Sequence, residues 1–166
     1  MPAVDFSILN ILVFDQNFER AKLVRGLLDS IEVGETHATA SHEVAIKTMK
    51  SKSLSMAVIN LESTGDQTGT VRFMDSIRDP QYGHATGLPV LGMMAEVTKE
   101  NLMNAVHIGA DFVIQRPFSV KSITDRISSM ILTPTRHFGS ENYFGPDRRR
   151  MPNDLYGGDR RRVDDK

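Results

Sequence analysis

Along the first 132 residues, short apolar runs alternate with amphipathic stretches. Ile8–Phe14 (ILNILVF), Met56–Leu61 (MAVINL), Leu88–Met94 (LPVLGMM) and the shorter Asp111–Ile114 (DFVI) are nearly continuous in apolar side chains. Their length and polar borders predict buried strands. Val33–Thr39 (VGETHAT) is a weaker candidate for another strand. Between these runs the apolar residues change to helical spacing. Phe18, Ala21, Val24, Leu27 and Leu28 share one helical face, as do Val44, Ala45 and Met49. The same holds for Val71, Phe73, Met74 and Ile77 near residues 69–78, for Leu102, Met103 and Val106, and for Ile123, Ile127, Met130 and Ile131. Ser41, Thr98 and Ser119 stand where caps would begin three of these helices, and Gly109 where one would end.

Five strands alternating with five helices predict right-handed βαβ units around a parallel sheet. Strands apolar on both faces agree, because helices cover both sides of such a sheet. The expected fold is therefore α/β: a doubly wound (βα)5 domain of the flavodoxin type over residues 1–132, followed by a largely irregular tail over 133–166. Ligands of such sheets bind beyond the carboxyl ends of the strands. That rule selects Asp15, Gln16, Asn60, Met94, Ala95 and Arg116 as candidate site residues.

Composition narrows the classes. Apolar residues are 40% of the chain, ordinary for a globular protein, and no apolar run reaches the roughly 20 residues of a membrane span. There is no cysteine, which excludes a disulfide scaffold, a thiolate zinc site and a cysteine nucleophile. MPAVDFS has no basic start and no long apolar stretch, so no secretory signal is expected and a cytoplasmic location is. The five histidines show no metal spacing, the methionines fall mostly at core positions, and Gly65 and Gly69 do not form a phosphate-binding fingerprint. The strand ends carry no Ser–His pair and no ligand cluster. Neither a catalytic group nor a metal or other cofactor is expected.

The net charge of −1 hides a split. Residues 1–133 carry 12 Lys+Arg against 15 Asp+Glu, and residues 134–166 carry 8 against 6. Seven of those eight cations are arginine. The tail contains a repeat: Phe144-Gly-Pro-Asp-Arg-Arg-Arg150 returns as Tyr156-Gly-Gly-Asp-Arg-Arg-Arg162. A solvated basic tail would need neither the repeat nor the preference for arginine. Arginine suits planar, two-pronged recognition, and glycine and proline suit a defined turn.

The segments ILVFDQN, MAVINLE, LPVLGMMA and GADFVIQRPFS resemble, in order and spacing, the receiver domain of bacterial response regulators over residues 7–132. The resemblance implies a site with two acids after the first strand, a phospho-accepting Asp after the third, Ser or Thr after the fourth and Lys before Pro-Phe. Those groups hold Mg²⁺, accept a phosphoryl group and stabilise its charge. This chain departs from the pattern throughout. The acid pair is Asp15-Gln16, the acceptor position is Asn60, the hydroxyl position is Met94 and the lysine position is Arg116. The family's switching aromatic falls on Val113. One carboxylate where three are usual makes Mg²⁺ unexpected, and an amide cannot form an acyl phosphate. Arg116 is expected to pair with Asp15. Glu62, two residues past Asn60, could reach the same pocket, though an exposed loop acid is the favoured reading.

The arginine-rich tail further resembles that of stand-alone, chemotaxis-regulator-like receivers of the Cle type, which bind cyclic di-GMP. That resemblance makes cyclic di-GMP the candidate ligand. Arg148, Arg149, Arg150, Arg160, Arg161 and Arg162 would bind it, with Asp147 and Asp159 on guanine edges and Tyr143 or Tyr156 stacking. Binding would order the tail and present a surface to a signalling or motor protein, such as the flagellar motor. The competing reading is a phosphate-independent adaptor with the tail as docking segment or spacer. Nucleic-acid binding is disfavoured, because the interleaved acids leave the tail only +2.

Overall fold

The structure, a computed structural model, describes residues 3–62, 69–81, 87–140, 143–147 and 149. Five parallel strands run β1 (Asn10–Phe14), β2 (Glu35–Thr39), β3 (Met56–Asn60), β4 (Val90–Met94) and β5 (Phe112–Gln115), in the order β2-β1-β3-β4-β5. They alternate with α1 (Phe18–Ser30), α2 (His42–Ser51), α3 (Gly69–Arg78), α4 (Lys99–His107) and α5 (Val120–Leu132). This is the doubly wound fold expected, with each element where its hydrophobic pattern placed it to within a few residues.

Alternation along the strands builds two cores. Leu12, Phe14, Ala57 and Ile59 face one side, where Ala45 and Met49 of α2, Phe73 and Ile77 of α3 and Leu102 of α4 cover them. Ile11, Val13, Val58 and Leu91 face the other, under Ala21 and Leu28 of α1 and Ile123 and Ile127 of α5. Burying one of the larger of these side chains, such as Leu12, Phe14 or Ile59, contributes about 1.5–3 kcal/mol.

Capping sets the helix starts. Ser41, Thr98 and Ser119 accept from Val44 N, Asn101 N and Ser122 N at 3.3, 3.1 and 3.0 Å, as their positions predict. Asn17 caps α1 by accepting from Arg20 N at 3.1 Å. After α4, Gly109 takes φ +102°, a left-handed conformation that glycine adopts without steric cost.

Within the tail expected to be largely irregular, the structure holds an antiparallel hairpin. Its strands are β6 (His137–Ser140) and β7 (Tyr143–Pro146), with Gly139 opposite Phe144. Each strand has only four residues and one glycine, too short a pattern for alternation to show. β7 packs against α3.

Candidate functional site

The strand order reverses between β1 and β3, and Asp15 and Asn60 stand at the carboxyl ends there. Both are buried: Asp15 is 0% and Asn60 2% exposed. The Asn60 amide donates from Nδ2 to Asp15 Oδ1 at 3.4 Å and accepts at Oδ1 from Arg116 Nη2 at 3.3 Å. Glu62 N also donates to Asn60 Oδ1, at 3.4 Å, and Thr70 Oγ1 donates to the Asn60 carbonyl at 3.3 Å. An amide suits this position physically. It offers a donor to an acid on one side and an acceptor to a base on the other. A carboxylate at residue 60 would meet Asp15 as a like charge.

The ion pairs differ from the expectation. Asp15 does not pair with Arg116. Its carboxylate receives Arg20 in a fork, Nε to Oδ2 and Nη2 to Oδ1, both at 2.9 Å, and also accepts from Asn17 N at 2.8 Å. Hydrogen bonding to Asp15 holds the Arg20 guanidinium above its ordinary pKa. Arg116 instead forms an ion pair with Glu62, which is therefore not a free loop acid. The reason is reach. Arg20 lies in the first turn of α1 directly above Asp15, and Glu62, two residues past Asn60, closes over Arg116. The result is a relay, Arg20–Asp15–Asn60–Arg116–Glu62, with two cations, two anions and an amide between them.

The remaining strand-end residues do not join it. Gln16 is exposed, and a Cβ placed on Gly69 would lie 3.0 Å from its Nε2, so its side chain leans over the start of α3. Met94 is 6% exposed and packs in the core beneath α4, while its carbonyl accepts from Arg116 N at 2.8 Å. Val113 is fully buried in the same core. A groove of about 520 Å³ opens beside the relay, walled by Leu23, Leu27, Met93 and Phe118.

Magnesium, which the family resemblance implies, fits these residues poorly. Asp15, the one acid after β1, is already neutralised by Arg20, and Glu62 by Arg116. No group of three potential ligands occurs among the described residues.

The second constellation lies at the opposite end of the sheet. Asp111 immediately precedes β5 and is 1% exposed. Its Oδ2 accepts from Val90 N at 2.7 Å and from Arg78 Nη2 at 2.9 Å. Arg78 also donates to the carbonyls of Gly109, from Nη2 at 2.6 Å, and Leu88, from Nη1 at 2.8 Å. The other oxygen, Asp111 Oδ1, lies 3.0 Å from His137 Nε2 of β6. His137 stacks on Phe144 of β7 with rings 4° from parallel and centroids 6.2 Å apart. Beyond β7, Asp147 N donates to Arg136 O at 3.3 Å, and the Asp147 carboxylate is gripped by Arg149.

This corrects the expectation that ligand orders the whole tail. Residues 137–140 and 143–147 form a hairpin that packs on the domain, with β7 against α3 and His137 beside the buried Asp111. It also gives Asp147 an intramolecular partner. Arg148, Arg150, Tyr156, Asp159, Arg160, Arg161 and Arg162 lie outside the described residues, as does the side chain of Tyr143. Sequence reasoning missed Arg20, Arg78, Asp111 and His137; Glu62 is exposed as expected, and it also takes the less favoured reading by reaching Arg116.

No protein-family model and no curated protein matches this chain. Solved structures do. A two-component response regulator from Clostridium difficile superposes with a TM-score of 0.61 at 17% identity, covering 75% of this chain and 97% of that one. The chemotaxis response regulator CheY4 of Vibrio cholerae gives 0.59 at 17%, covering 72% and 96%. The receiver domain of Francisella response regulator 1452 gives 0.59 at 17%, covering 72% and 93%. At such identities the likeness establishes the fold, which is that of response-regulator receivers. No described helix is long and apolar enough to cross a membrane.

Proposed function

We propose that this chain is a non-enzymatic signalling protein, a pseudo-receiver that acts by binding and not by phosphoryl transfer. The observation that carries this reading is the relay through Asn60. At the position where the family resemblance puts the acceptor carboxylate, an amide bridges Asp15 and Arg116. Arg20 supplies the positive charge that Asp15 would otherwise seek from a metal, so the pocket is neutral without ion or phosphate.

The binding function belongs to the arginine tail. Two Asp-Arg-Arg-Arg blocks twelve residues apart suit a ligand with two guanines and two phosphates, and cyclic di-GMP has that composition. The bound tail would then engage a protein partner such as the flagellar motor. Isothermal titration of cyclic di-GMP into the full chain tests this, beside variants with Arg→Ala at 148–150 and at 160–162. Truncation at Leu132 is a harsher control, because it also strips His137 from Asp111. Saturable binding lost in the variants supports the reading, and no binding to the full chain removes it.

The hairpin favours one alternative. Its packing at the base of the sheet would equally suit a phosphate-independent adaptor in a two-component pathway, with the tail as a docking segment. That reading requires output to survive loss of the arginine blocks.

A further inference from the structure

We propose that Asp147 is a positioning residue that presents Arg149, and that the first arginine block meets its ligand through the outer edge of that guanidinium. The identity of the ligand rests on the cyclic di-GMP reading above. Asp147 Oδ1 accepts from Arg149 N at 3.0 Å and from Nε at 2.9 Å, and Oδ2 accepts from Nη2 at 2.7 Å. The carboxylate therefore occupies the Nε side of the planar fork. A guanidinium has a second edge, formed by Nη1 and Nη2, whose N–H bonds run parallel and away from the first. The Arg149 side chain is 83% exposed, so this outer edge is open to solvent. Two parallel N–H donors match guanine O6 and N7, or two oxygens of one phosphate.

Asp147 is itself held. Its N–H closes the hairpin on Arg136, and the hairpin reaches the core through His137 and Asp111. Arg78, Asp111, His137, Arg136 and Asp147 thus link the core to Arg149, and the Asp147 carboxylate holds one edge of the guanidinium. The sequence places Asp159 two residues before Arg161, the same spacing as Asp147 and Arg149. Two such units suit a ligand with two guanines. The division of labour differs from the expectation that Asp147 sits on a guanine edge.

The sign of one substitution separates positioning from bulk charge. Asp147→Ala makes the tail more positive, so a merely electrostatic tail would bind an anionic dinucleotide more tightly. Positioning predicts weaker binding, by about two- to tenfold, because a rotamer-rich side chain is then immobilised only on binding. If Asp147 acts through Arg149, the loss vanishes in an Arg149→Ala background. If Asp147 touches guanine, the loss persists there, and cyclic di-IMP, which keeps the ring N1–H but lacks the exocyclic amino group, shows less of it. Unchanged or tighter binding by Asp147→Ala, or a loss that persists beside Arg149→Ala, overturns the proposal.

A ligand-free measurement separates this proposal from the ligand reading. In the NMR spectrum of the full chain, the Arg149 Nε–H signal, assigned by its loss in Arg149→Lys, is expected to exchange slowly. It should lose that protection in Asp147→Ala. An Nε–H signal indifferent to Asp147 overturns the positioning role even if cyclic di-GMP binds. Failure of the wild-type chain to bind cyclic di-GMP removes the ligand, and the Nε–H signal then decides whether Asp147 holds Arg149.

Discussion

His137 Nε2 lies 3.0 Å from Asp111 Oδ1, and the other oxygen of Asp111 receives Arg78 at 2.9 Å. One buried carboxylate is therefore shared between the domain core and its C-terminal hairpin. Removing Asp111 and removing His137 should have unequal effects. Asp111→Ala strands the Arg78 guanidinium in the core and is expected to cost about 3–5 kcal/mol in chemical denaturation. His137→Ala leaves that pair intact. It should cost far less globally while accelerating amide exchange at Phe138 and Phe144. Equal losses for both variants would mean that the hairpin is not a separable layer on the core.

The relay predicts what a carboxylate at residue 60 would do. Asn60→Asp replaces the donor facing Asp15 with a second carboxylate, and like charges at that distance oppose ionisation. The variant is expected to be less stable than wild type at pH 7, by about 1–3 kcal/mol. Millimolar Mg²⁺ should recover part of that loss. Wild type should show no Mg²⁺ dependence, measured as the midpoint of thermal unfolding.

Gly92 in β4 marks a close approach. A Cβ there would lie 2.2 Å from Leu61 Cδ1 and 2.9 Å from its Cγ, so Leu61 packs directly over the bare backbone. Gly92→Ala is expected to destabilise by about 1–3 kcal/mol through overpacking. Leu61→Val should relieve part of the clash, so the double variant should lose less than the sum of the singles.

At the sheet edge, Lys52 Nζ donates to Glu35 at 3.1 Å and holds the Glu35 carboxyl below its ordinary pKa, with His37 helping. A lowered folded pKa means that the unfolded chain binds the proton more readily. The contribution is therefore present above the ordinary value of 4.5 and is lost as pH falls below it. The gap in stability between wild type and Glu35→Gln should be open at pH 7 and should close on acidification, as read from urea midpoints across the pH range.

The fold was legible because its signals are local and repeated. Apolar runs in β1, β3 and β4 are bounded by polar residues, and Ser41, Thr98 and Ser119 announce their helices. Asn60, Asp15 and Arg116 were legible as a group because parallel strands bring their carboxyl ends together. Their pairing was not. It depends on which long side chain reaches which acid, and sequence spacing does not encode reach between elements. A sharper reading of Arg20 was available. A cation in the first turn of a helix opposes the helix dipole, so it calls for an anion nearby. Arg78 carried a similar signal, since it lies four residues past Met74 on an apolar face. His137 carried none. It lies in a glycine-rich stretch, and its partner is a buried acid 26 positions earlier in the chain.

The central claim is that this receiver fold signals without a phosphoryl group. The direct measurement is to incubate the full chain with Mg²⁺ and a small-molecule phosphoryl donor, then record its intact mass and its amide spectrum. The account predicts an unchanged mass and unmoved signals at residues 60–62 and 94–96. A phosphorylated species, or a shift of those signals that needs both donor and Mg²⁺, would contradict it.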